Sequence, residues 1–125
     1  MKQQNIKEDK TIRIIFPTKK FKKYLEKSGV SSTKELSLDL IHNVFVETIG
    51  DFRKGELSLD ELSGISNHLW SDGISDKDKF NSDLAKTLYS AAELSFYVRN
   101  VQDKDAAKRF IEFLREVLSY TSSNI

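Results

Sequence analysis

Apolar residues recur at intervals of three and four along most of this chain, and helix starts and stops punctuate the polar residues between them. From Thr18 to Gly29, Phe21, Tyr24 and Leu25 form one stripe, with lysines around the rest of the helix. Ser32 followed by Glu35 reads as a capping box and predicts a long helix to about Arg53. That helix is apolar on two sides, Leu38, Ile41, Phe45, Ile49 and Phe52 on one and Leu36, Leu40 and Val44 on another. Asp39, Asn43, Glu47 and Asp51 leave only a narrow polar strip, so a central position is expected. Gly55 closes it. Ser58 with Glu61 is a second capping box, stapled by Leu57 and Leu62, for a helix over about 59–71 that turns Leu59, Leu62, Ile65, Leu69 and Trp70 inward. A turn is expected at Asp72-Gly73. Ser75 with Asp78 then predicts a helix to about Asn100, with Phe80, Leu84, Leu88, Ala91, Leu94 and Val98 inward and Ala85, Ala92 and Phe96 widening the arc. A last amphipathic helix, about 104–120, sets Ala106, Phe110, Phe113, Leu114, Val117 and Leu118 against Lys108, Glu112, Arg115 and Glu116.

One segment follows a different period. Thr11-Ile12-Arg13-Ile14-Ile15-Phe16 is β-branched, alternates, and is closed by Pro17, which predicts a strand. A lone strand leaves backbone groups unpaired, so it must pair with a second copy, dock on a partner, or prove not to be a strand. One proline and five glycines in 125 residues favour helices over a multi-stranded sheet. The expected fold is mainly α: a compact four- to five-helix bundle over residues 18–125 with an extended basic arm or single strand over residues 1–17, all in a single domain.

Composition narrows the function classes. Hydrophobic residues are 38% and charged residues 31% of the chain, the balance of a globule and not of a disordered chain. Cysteine is absent, which excludes disulfides, thiol nucleophiles and thiolate metal sites. No apolar run is long enough to span a bilayer, so no membrane association is expected. The opening MKQQNIKEDK has no apolar block after it, no signal peptide is read there, and a cytoplasmic location is expected.

The net charge of +1 hides a gradient. Residues 1–34 hold ten Lys and Arg against three acids, residues 35–100 six against twelve, and residues 101–125 four of each. Such asymmetry points to a binding surface, or to two parts of the chain that attract each other within the folded domain.

Candidates for catalysis are few. His42 lies among Leu38, Phe45 and Ile49, where a histidine is a satisfied core residue more often than a base or ligand. His68 falls on a polar face and reads as solvated, and Glu93 falls on the polar strip with Lys86 and Ser82. No Glu-x-x-His pair, phosphate loop, serine elbow or His-Glu-x-x-His run occurs. No catalytic residue, metal site or cofactor is assigned, and the chain is not expected to be an enzyme.

Two charged surfaces remain. The basic one joins Arg13 to Lys19, Lys20, Lys22, Lys23 and Lys27, a cluster suited to displacing counterions from phosphates, or simply a solvated face. The run from Thr11 to Pro17, a helix, Gly29-Val30-Ser31 and a further helix, residues 11–45 in all, resembles the ribbon-helix-helix DNA-binding fold. That resemblance implies a homodimer through the N-terminal strand, with Thr11, Arg13 and Ile15 entering the major groove.

The acidic surface comprises Asp51, Glu56, Asp60, Glu61, Asp72, Asp76 and Asp78, most near helix junctions. The stretches Phe45–Ile49, Asp51–Leu62 and Leu84–Leu94, carrying Gly55, Leu57, Ser58, Ala91, Ala92 and Glu93, resemble small bacterial immunity proteins of the colicin D immunity type. The resemblance spans residues 45–95. It implies a helical inhibitor that occupies the active site of a nuclease toxin with acids placed where RNA phosphates would lie. The leading expectation is therefore a non-catalytic protein-interaction module, of the immunity or antitoxin kind, that blocks a cationic partner site. The alternatives are a small dimeric nucleic-acid-binding regulator using the basic arm, and an adaptor or structural subunit of a larger assembly.

Overall fold

The computed structural model describes residues 18–74 and 82–120. Within them the chain forms α1 (Thr18–Lys27), a 3-10 turn (Thr33–Glu35), α2 (Leu38–Arg53), α3 (Leu59–His68) running into a π-helical turn (Leu69–Gly73), α4 (Asp83–Val98) and α5 (Lys104–Ser119). No strand occurs among the described residues. The predicted strand at residues 11–16, the arm with Arg13, and Ser75, Asp76, Asp78 and Phe80 lie outside them.

The helix ends follow local chemistry with one displacement. The Ser58–Glu61 box is complete: Glu61 N donates to Ser58 Oγ at 3.1 Å and Ser58 N donates to Glu61 Oε1 at 2.8 Å. Gly55 ends α2 at φ 81°, a backbone state that side chains disfavour, and Gly29 follows α1 at φ 79°. The expected start of α2 is corrected. Ser32 makes no cap bond, and Glu35 instead accepts from Ser31 N at 3.0 Å. Leu36 is extended, and α2 opens at Ser37, whose Oγ accepts from Leu40 N at 3.2 Å. The break lets Thr33 and Leu36 turn into the core, both buried. It also leaves Leu38 at the helix mouth, 54% exposed and not in the core as expected.

The start of α4 is corrected in the same way. Ser82 is its N-cap, accepting from Ala85 N at 3.1 Å, so the helix does not run unbroken from Ser75. Asp72-Gly73 is not a simple turn either, because α3 continues through it as the π-helical turn. The close approach there explains the glycine. A Cβ on Gly73 would sit 3.0 Å from Ile41 Cδ1 and 3.3 Å from Thr33 Cγ2.

One cluster of buried side chains draws on all five helices, from Phe21, Tyr24 and Leu25 of α1 to Val117 of α5. α2 buries Ile41, Phe45 and Ile49 from one apolar side and Val44 from the other, as its pattern implies. α4 packs on α3 and α5, and small residues set the approach. Ser63 of α3 donates to Ala91 O at 2.8 Å and accepts from Ser95 N at 3.1 Å, which brings the two backbones together. Phe96, expected to widen the buried arc, is exposed and stacks edge-on against Tyr97, which in turn meets Phe113 of α5. No helix of the described residues is long and apolar enough to cross a membrane.

Candidate functional site

The sequence places a basic helix before an acidic stretch, and the fold lays one on the other. The apolar stripe of α1 is buried, which fixes which lysines face inward across α2 and α3. Lys20 Nζ reaches Glu61 Oε1 at 3.1 Å and the carbonyl of Glu56 at 2.9 Å. Tyr24 donates its hydroxyl to Asp51 Oδ2 at 2.6 Å. Lys27 pairs with Glu47. Glu47, Asp51 and Glu56, from the last turns of α2 and the loop beyond, line a cavity of about 210 Å3 with Leu57 and the α1 side chains Lys20, Lys23, Tyr24 and Lys27.

The titration of these groups reports the arrangement. Burial pushes the Tyr24 hydroxyl well above the ordinary phenol range, and the bond to Asp51 adds to it. The Glu47 hydrogen bond holds the Lys27 ammonium above its usual value. At Glu61 burial alone would raise the carboxyl; the Ser58 backbone N–H and Lys20 overcome it and hold the group below its usual value. These pairs are largely exposed and contribute little stability one by one. Their effect is to orient.

The other acidic candidates separate. Asp60 is a tie between helices: Ser95 Oγ donates to Oδ1 at 2.6 Å and the Arg99 guanidinium at 2.9 Å. Asp72 is exposed and lies 3.1 Å from His68 Nε2. His68 is not simply solvated as expected, because its ring packs edge-on against Phe21 with centroids 4.9 Å apart. Asp76 and Asp78 lie outside the described residues. The fold thus brings Asp51, Glu56 and Glu61 to one corner and uses Asp60 elsewhere. Glu47 was not among the sequence candidates, yet it sits one turn before Asp51 on the same polar strip, a spacing that could have found it.

On the outer side of α1, Lys19 and Lys22 are exposed, and neither lies within ion-pair distance of a carboxylate among the described residues; Lys23 is exposed at the rim of the acidic cavity. Lys20 and Lys27 belong to the acidic corner instead. Arg13 lies outside the described residues.

His42 is a buried core residue, as its apolar neighbours imply, and its partner is the hydroxyl of Tyr120, 2.7 Å from Nδ1. Burial, with Asp83 nearby, pushes the Tyr120 phenol up to about 12. The pair borders a cavity of about 290 Å3 with Leu38, Asp39, Ser82, Asp83 and Leu84. Among the described residues no three His, Asp or Glu side chains are grouped to hold a metal ion.

The chain matches no known family, no characterised protein and no solved structure.

Proposed function

We propose that the protein is a non-catalytic protein-interaction module of the immunity or inhibitor kind. Its acidic corner, Glu47, Asp51, Glu56 and Glu61, would seat a cationic site of a partner. One observation carries this reading: the corner already holds alkylammonium groups, those of Lys20 and Lys27 from the protein's own α1. Carboxylates from two helices and their junction, oriented by a capping box and a tyrosine hydroxyl, are pre-organised acceptors for lysine or arginine. Complementary charge of this kind speeds association and makes it salt-sensitive.

The test is capture from an extract of the source cell at low salt, by the natural protein and by a Glu47→Lys/Glu56→Lys variant. The reading expects a basic protein retained by the natural form, released by salt and missed by the variant. It further expects the captured protein's activity on RNA to fall when the natural form is added. Equal capture by both forms overturns the reading.

A second reading rests on the exposed Lys19 and Lys22 of the outer face of α1, which fit a phosphate backbone. It expects a labelled duplex or RNA to bind at low salt and to be lost with Lys19→Ala/Lys22→Ala. No shift at low salt excludes it.

A further inference from the structure

The last helix is amphipathic over a wider arc than its neighbour covers. α5 packs on α4 and buries Ala106 and Val117. The adjoining stripe, Ile111, Leu114 and Leu118, lines a surface furrow of about 310 Å3 with Arg115 and Ser119, and Ile111 is 53% exposed. Arg53 of α2 donates to the backbone carbonyl of Leu118. The spacing of three then four is the a/d seam of paired helices, which an incoming helix fills with its own anchors.

Charge selects the occupant. Lys104, Lys108 and Arg115 share the line of Ile111 at intervals of four, three and four, so cations run beside the apolar seam. All three are exposed, and none pairs with a carboxylate among the described residues. We propose that this furrow docks a helical segment of another protein, with leucine- or isoleucine-type anchors at a/d spacing and acidic residues flanking them.

A second copy of the chain fits poorly. Two α5 seams related by a twofold axis across the helices run antiparallel and set Lys108 and Arg115 against their own counterparts. A parallel pairing would need the flank carrying Phe110 and Val117, which already packs into the bundle. The chain's own residues 1–17 carry four basic residues against two acids and repel the same rim.

The probe is a synthetic three-heptad helical peptide with isoleucine at a, leucine at d and glutamate at e and g, compared with its lysine counterpart. Titrated into the isotopically labelled full chain at low salt, the acidic peptide should bind about tenfold more tightly than the lysine peptide. Its amide shifts should centre on Ile111, Leu114 and Leu118. Lys108→Glu/Arg115→Glu should reverse the preference, and Ile111→Glu should remove binding of both peptides. These positions are exposed, so circular dichroism should show unchanged helicity. Equal affinity for the two peptides, no binding of either, or shifts centred elsewhere would overturn the proposal. So would self-association of the protein that Ile111→Glu disrupts. None of these results bears on the acidic corner, which lies on other helices.

Discussion

The pairing of His42 with Tyr120 shows what one residue can and cannot disclose. The apolar neighbours of His42 place it in the core, and it is buried there. Its partner is 78 positions away, a distance that no local pattern encodes. Tyr120→Phe should strand the ring nitrogen and cost about 1–3 kcal/mol in denaturant-induced unfolding. A double-mutant cycle with His42→Leu should recover most of that loss, because both polar groups are then gone. Glu61 makes a prediction in pH. Its carboxyl is held below its ordinary value, so its contribution to stability is complete above the unfolded carboxylate range and is lost as pH falls through the folded value. Glu61→Gln should therefore be the less stable form at pH 7, and in urea titrations the gap should close as pH falls through the folded carboxyl value.

Among the elements, capping patterns were legible where both partners sit within one turn and nothing larger competes. The Ser58–Glu61 box is such a case. Ser32–Glu35 has the same letters, but burying Thr33 and Leu36 favours a break, and the start moves to Ser37. Burial overrides the cap. The close approach of α3 to α4 was harder to read than the burial of α4, because it depends on Ser63 of α3 meeting the backbone at Ala91 and Ser95. Two glycines test how tightly the elements meet. A Cβ on Gly50 within α2 meets nothing within 4 Å, so Gly50→Ala should stabilise by about 0.5–1 kcal/mol through helix propensity. Gly73→Ala should destabilise by about 1–3 kcal/mol, since Ile41 and Thr33 must move. Thermal unfolding of the two variants should separate them in opposite directions.

At the scale of the molecule, the helical class was legible from periodicity, and the charge gradient was legible from counting. Which charges meet was not, because that depends on how α1 lies across α2 and α3. Phe21, Tyr24 and Leu25 set that orientation by their burial, and Lys20, Tyr24 and Lys27 then fall on Glu61, Asp51 and Glu47. Part of the gradient is thus satisfied within the fold, and the acids it orients form the corner proposed to seat a partner. The most direct test is an amide chemical-shift map of the labelled protein with the captured basic partner. Largest shifts at Glu47, Asp51, Glu56 and Leu57, diminished by salt and absent in the Glu47→Lys/Glu56→Lys variant, are the predicted result. A bound partner that leaves these four residues unshifted and perturbs Lys19 and Lys22 instead would contradict the account.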